Sequence, residues 1–327
     1  MGEHGLAERD PLRGFLYAAA GCILVSFNYT LGKYGMSRAG GKYVGFNPAT
    51  FGFLWLSAAA VYLFVLLAAA GRAGEIALPA GARRGTWSVG VLAGIEQVMV
   101  WEALARLDPA FSAFLWRFVP ALLIVGGVVV LHERLRGFEV AAIVVMLAGG
   151  ALSVFGRWEV VEAIGVLCVA GSAVVVAAER LVMKVTVRRV RPLVLNFYRA
   201  SLGALILAAW ILLTGAARFD VAPGYWRAVL VGALLGATAS QVMIIKSFQY
   251  WDLSKSSMVM MTQPLIVLPV SYVALGMHPR PQRLAGGLVI LAGGLWLIWM
   301  HARSSPAHGR AGPTPEEASD PDRSEHP

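Results

Sequence analysis

Charge is scarce in this chain. Only 14% of its 327 residues are Asp, Glu, Lys or Arg, where a soluble domain carries about a quarter. That excludes an ordinary soluble domain. The net charge of +9 does not point to nucleic acid, because the positive residues sit between apolar runs, where lipid headgroups and topology use them. Cysteine is scarce too. Cys22 and Cys168 both fall inside apolar runs, so neither a disulfide framework nor a metal site follows. The sequence contains no Gly-rich phosphate loop, no H-E-x-x-H and no Cys/His cluster at metal spacing. No cofactor and no nucleotide-driven step are expected, and no nucleophile–base arrangement argues for an enzyme.

Hydrophobic residues, by contrast, make up 57% of the chain. They lie in runs of about 20, the length of a helix that crosses a hydrocarbon core of about 30 Å. The pattern predicts an all-α polytopic membrane protein with transmembrane helices near 12–35, 48–71, 87–107, 109–131, 137–155, 161–183, 192–214, 226–247, 254–276 and 283–301. Residues 1–11 form a short N-terminus. The tail 302–327 is rich in Pro, Ser and charge and is too polar to bury a core. With the N-terminus inside, 17 Lys and Arg, Arg180 among them, fall in inner segments and 9 in outer ones. Both termini are therefore expected in the cytoplasm, with the chain in the plasma membrane. Lys33, Arg38 and Lys42 make the first outer loop the weakest point of that assignment.

A shift of 144 residues, without a gap, lays Pro48 on Pro192, Gly71 on Gly215 and Gln97-Val98-Met99 on Gln241-Val242-Met243. It also lays Asp108 on Asp252, Ser112 on Ser256, Pro120 on Pro264 and Ala148-Gly149-Gly150 on Ala292-Gly293-Gly294. The chain reads as a duplication, with copies at 12–155 and 156–301. Each copy holds five spans. Five is odd, so the second copy enters the membrane from the opposite side, and a binding site is expected near the midplane where the halves meet.

Five helices per repeat, a proline in the fourth, and a Glu133-Arg134-Leu135 turn before a glycine-ending fifth helix resemble the EamA-type members of the drug/metabolite transporter superfamily. Pro264 and Ala292-Gly293-Gly294 carry the resemblance in the second copy. It spans nearly everything but the tail and implies a ten-helix metabolite transporter fold. The second copy departs from the pattern with Met277-His278 in place of Glu133-Arg134. Trp55 stands where such proteins often carry an arginine, while Arg199 keeps one in the seventh helix.

Ionisable groups within a span are expensive, about 2.5–3.5 kcal/mol at a helix centre on insertion scales. Glu96, Glu102, Arg117, Arg199 and Lys246 are the candidates. At about 1.5 Å per residue, Glu96 lies roughly 16 Å and Arg117 roughly 12 Å from the outer side. The two are expected to meet, either as a switchable pair in a cavity or as a static pair between helices. Glu102 is shallower and on another face. Lys246 is expected to reach the headgroups, and Arg199 either to do likewise or to face the cavity. Gln97 and Gln241 are repeat mates able to donate and accept. With Glu96, Arg117, Gln263 and Asn28 they form the expected substrate-binding set. Simple interhelical bonding is the bland alternative. Pro120, Pro264 and Pro269 are expected hinges or kinks.

These features point to a secondary transporter of small metabolites working by alternating access, and to export rather than uptake. Two of the five named ionisable groups are negative and three positive, which favours amino-acid-like, neutral, zwitterionic or anionic solutes over lipophilic cations. Protons or a counter-solute would supply the energy. The expected partners are a small-molecule substrate and the bilayer, a homodimer is compatible with the sequence, and nucleic acid is not expected. The competing reading is a membrane scaffold or accessory subunit without transport.

Overall fold

Proline opens most of the helices, as its fixed φ and missing N–H allow at a first helical position. The computed structural model describes residues 11–119, 122, 137–154, 160–250, 256, 259–277 and 280–304. Helices beginning on proline are α1 (Pro11–Gly35), α2 (Pro48–Ala69), α4 (Pro109–Leu115), α7 (Pro192–Thr214), α8 (Pro223–Tyr250) and α10 (Pro281–Ser304). The others are α3 (Ala80–Arg106), α5 (Gly137–Val154), α6 (Val160–Thr186) and α9 (Gln263–Leu275). Among the described residues, α1, α2, α3, α6, α7 and α8 are long and apolar enough to cross a membrane. Val140–Leu152 and Val259–Leu275 are shorter apolar helices. The protein is mostly helical, and α3 begins at Ala80 rather than near 87, directly after Pro79.

Positions 144 residues apart behave alike in how some helices end and pair. Gly71 and Gly215 are repeat mates, and both stand just past a helix, α2 and α7, in the left-handed region at φ 68° and 61°. Only glycine takes that turn without strain. Helix α1 packs on α8 as α6 packs on α3, and α3 packs on α7 as α8 packs on α2. Helices α2 and α7, α4 and α9, and α5 and α10 pair with their own mates. Exchanging every helix for its mate leaves this pattern unchanged. At its centre Trp101 stacks edgewise on Phe51 and Trp55, at 4.8 and 5.1 Å between ring centroids.

An exception to the all-helical expectation is a hairpin in the first connection. Strands β1 (Arg38–Ala39) and β2 (Lys42–Tyr43) pair antiparallel, Arg38 opposite Tyr43. Gly40 and Gly41 between them have φ of 56° and 77°, which a two-residue hairpin turn of this hand demands. The positive charges of this loop are used locally. The Lys33 Nζ donates to the carbonyls of Leu104 at 2.9 Å and Leu107 at 2.7 Å, closing the C-terminus of α3, where a cation also complements the helix dipole. The Arg38 guanidinium lies 4.0 Å over the Tyr43 ring. Local contacts thus account for Lys33 and Arg38.

The start of α4 is fastened by Asp108, whose Oδ1 accepts from the Phe111 amide at 2.7 Å. Arg283 of α10 reaches Glu162 of α6 at 2.5 Å, with Asp108 3.8 Å away. Burial pushes the Asp108 carboxyl above the usual aspartate range, against the opposing pull of the Phe111 amide and Arg283. The folded protein therefore holds this proton more tightly than the unfolded chain. The resulting stabilisation is complete below the unfolded value near 3.9 and is lost as pH rises through the folded one. Asp108→Asn keeps the cap without a charge to bury. Its melting temperature at pH 7 should equal or exceed that of the parent, whereas Asp108→Ala should lose about 1 kcal/mol. Equal losses in both variants would show that the charge, not the cap, holds the helix.

Candidate functional site

The site begins with a proline. Pro264 has no N–H to give the carbonyl four residues back, that of Met260. The helical run at 259–261 breaks in a turn at Thr262 and resumes as α9 at Gln263. Pro264 thus stands in the first turn of α9, and Pro269 lies inside that helix. In the first copy the same stretch is distorted. Helix α4 tightens into a 3₁₀ turn at Trp116–Phe118, the repeat mates of 260–262, while Pro120 lies outside the described residues. The freed Met260 carbonyl is taken by Arg117 Nη1. Arg117 also donates from Nε to Ala113 O at 3.0 Å and from Nη2 to Gln263 Oε1 at 2.7 Å. Its side chain thus stitches α4 to α9. All three acceptors are uncharged. Among the described residues no carboxylate pairs with this guanidinium, although Arg117 is only 6% exposed.

Glu96 does not meet Arg117. It pairs with Arg199 on α7, Oε2 to Nη2 at 3.1 Å, and the Arg199 Nε lies 2.6 Å from Glu179 Oε1 on α6. The three side chains are each no more than 3% exposed. The depth estimate allowed Glu96 and Arg117 to meet, but depth along a helix says nothing of azimuth. Glu96 faces α6 and α7, whereas the 3₁₀ turn aims Arg117 at α9. Arg199 neither reaches the headgroups nor lines the cavity. It is locked between two carboxylates.

Beside these groups lies a cavity of about 110 Å³, room for on the order of ten water molecules. All six residues singled out in the sequence line it: Asn28 from α1, Glu96 and Gln97 from α3, Arg117 after α4, Gln241 from α8 and Gln263 from α9. Tyr29, Trp55, Trp101, Trp116 and Phe248 supply aromatic walls, and Arg180 of α6 adds a second guanidinium, 5.8 Å over the Phe248 ring. Trp55 Nε1 donates to Asn28 Oδ1 at 2.9 Å. Asn28 in turn lies against α8 at Gly232 and at Gly236, the second of them within a π-helical segment, Ala233–Ser240. Asn196 of α7 donates to the Ala237 carbonyl there at 2.8 Å. Gln97 Oε1, Gln241 Oε1 and Trp101 Nε1 are buried without a partner among the described residues. Glu102 turns away to pair with Arg106 on its own helix, and the Lys246 Nζ sits 5.4 Å from the Tyr17 ring.

A pocket lined by charged and aromatic groups thus lies among apolar helices, and comparison with known proteins adds a family match. The profile of the EamA-like transporter family matches residues 163–299, from the start of α6 into α10. No curated protein matches the chain. One solved structure, titled only as the crystal structure of a protein, superposes with a TM-score of 0.62. It is 18% identical over 89% of this chain and 98% of its own, a likeness of fold alone.

The EamA-like half holds what the sequence reading missed. Glu179 and Arg180 stand at the inner end of a predicted span, and Arg180 is counted there among loop charges. Helix α6 in fact runs on to Thr186, which carries Glu179-Arg180 two turns into the bundle. The adjacent pair within an apolar run was the available signal. Two substitutions separate packing from charge. Arg199→Met strands two buried carboxylates and should lower stability by about 3–5 kcal/mol, read as loss of folded protein in detergent. At Gly236 an added Cβ would lie 2.6 Å from Asn28 Cγ. Gly236→Ala should therefore displace Asn28, break its bond to Trp55 and lower stability by about 1–3 kcal/mol. An unchanged melting temperature in either variant would contradict these contacts.

Proposed function

We propose that this chain is a secondary transporter that moves small, amino-acid-like solutes across the plasma membrane by alternating access, in the direction of export. The observation that carries this reading is the cavity. It is lined from both copies of the duplication, with the mates Gln97 and Gln241 facing it together. In this reading, residues 12–155 and 156–301 are five-helix repeats inserted with opposite orientation and both termini are cytoplasmic. The two-fold pattern of helix pairing supports a pair of repeats, and the odd number of spans in each supplies the inversion.

The broken helices at Trp116–Phe118 and Thr262 fit this mechanism. Irregular backbone at depth is tolerated where it lines a cavity rather than lipid, and it lets α4 and α9 bend about the site. The lining mixes guanidinium, carboxylate, amide and indole groups, which suits neutral, zwitterionic or anionic solutes and disfavours lipophilic cations. An ion gradient, protons among the candidates, or exchange against a counter-solute supplies the energy.

Cysteine accessibility tests the alternation. In a background with Cys22 and Cys168 replaced, single cysteines at 97 and 241 should be labelled by a membrane-impermeant reagent reciprocally from the two sides. Conditions that open one face should protect the other. Labelling that never changes with side or solute would favour a static scaffold instead.

A further inference from the structure

The proposed transport reading leaves the solute's chemistry open, and the charges around the cavity narrow it. Glu96 and Glu179 face three guanidiniums, those of Arg117, Arg180 and Arg199, so the group carries one surplus positive charge. The surplus has an address. Arg199 lies between both carboxylates, and Arg180, which follows Glu179 in the chain, is less buried than Arg117 and lies 5.8 Å over the Phe248 ring. Arg117 is balanced by no carboxylate among the described residues. Its partners are two carbonyls and an amide oxygen. Burying a cation among neutral dipoles costs several kcal/mol unless a counter-charge arrives. The lone groups on the other walls have the opposite need. Gln97 Oε1 and Gln241 Oε1 are acceptors without donors, at 5% and 8% residue exposure.

We infer that Arg117 is the carboxylate anchor of the transported solute, and that Gln97 and Gln241 receive its amino group. The ligand is then a singly charged carboxylate bearing nearby N–H donors, with its apolar part against the indoles of Trp55 and Trp101. A doubly charged phosphate exceeds the single surplus charge, and a cation meets repulsion. Arg199 has no such role, because its charge is already consumed within the bundle. The inference rests on the transport reading, but binding tests it separately.

The full chain, purified in detergent, is titrated with L-leucine, L-phenylalanine, L-threonine and L-aspartate, and with the amide of each α-carboxyl, while thermal stability is followed. At least one acid should bind with its amide about ten- to hundredfold weaker, the difference that a charge-assisted bond supplies. 4-Methylpentanoate, an acid without an amino group, should bind more weakly than L-leucine. Arg117→Gln should erase the preference for acid over amide, while Arg117→Lys should keep part of it. The wild-type comparison decides even where a variant fails to fold. The proposal is overturned if no acid binds, if amides bind as well as acids, or if chloride alone protects equally. It is also overturned if the preference disappears in Arg180→Gln and persists in Arg117→Gln. Counterflow of the same compounds in proteoliposomes separates the two readings. Binding without movement would refute transport and leave the anchor standing, and movement without acid preference would do the reverse.

Discussion

The carbonyl of Met260 and the guanidinium of Arg117 hold the centre of this protein together. A proline four residues on deprives that carbonyl of its helical donor, and hydrocarbon offers no water to replace it. A side chain must do so. The residue that does brings a full charge with it, from the other half of the chain, at the edge of the cavity. The distortion of α4, the break before α9 and the contact between them all meet at this bond. Arg199, of the same residue type and just as buried, sits between two carboxylates. One arginine is a tie with charge to spare, and the other is a tie held by two acids.

Much of this was legible in the residues. Prolines and polar stops marked where helices begin, and four uncharged polar side chains inside apolar runs, Asn28, Gln97, Gln241 and Gln263, lie around one cavity. Intramembrane polarity is a strong signal because it is costly. What escaped was angular and local. Glu96 has Arg199 as partner rather than Arg117, since sequence distance gives depth but not the facing direction. Glu179 and Arg180 were hidden by a helix end placed a few residues early. Lys33 looked like a topological charge, yet it closes the C-terminus of α3. The Gly40-Gly41 hairpin is too short to leave a periodic pattern.

The two copies share a scaffold and differ in chemistry. Trp55 and Arg199 are mates at one position of the repeat, and their surroundings followed them. Trp55 makes a neutral bond to Asn28, whereas Arg199 organises two acids. The mate of Arg117 is Met261, which lines the same cavity without charge. The ion cluster therefore joins Glu96 of the first half to Glu179 and Arg199 of the second, and the unbalanced arginine comes from the first. An exchange of the two faces would not leave the site electrostatically the same.

The π-helical segment of α8 acts as a phase shift between the copies. A wide turn accommodates residues that an α-helix would spread over more rotation, so the two ends of α8 are twisted relative to those of α3. Burial records the twist. Ala82, Thr86 and Gly90 of α3 are buried, but their mates Trp226, Leu230 and Leu234 are half-buried or exposed. From Ala93 and Ala237 onward the mates Gly94 and Thr238, Glu96 and Ser240, and Gln97 and Gln241 are buried alike. The copies thus agree at the cavity and disagree toward one membrane surface. A duplicated sequence aligned without a gap can still hold, in backbone geometry alone, a rotation that turns one end of a helix to a different neighbour.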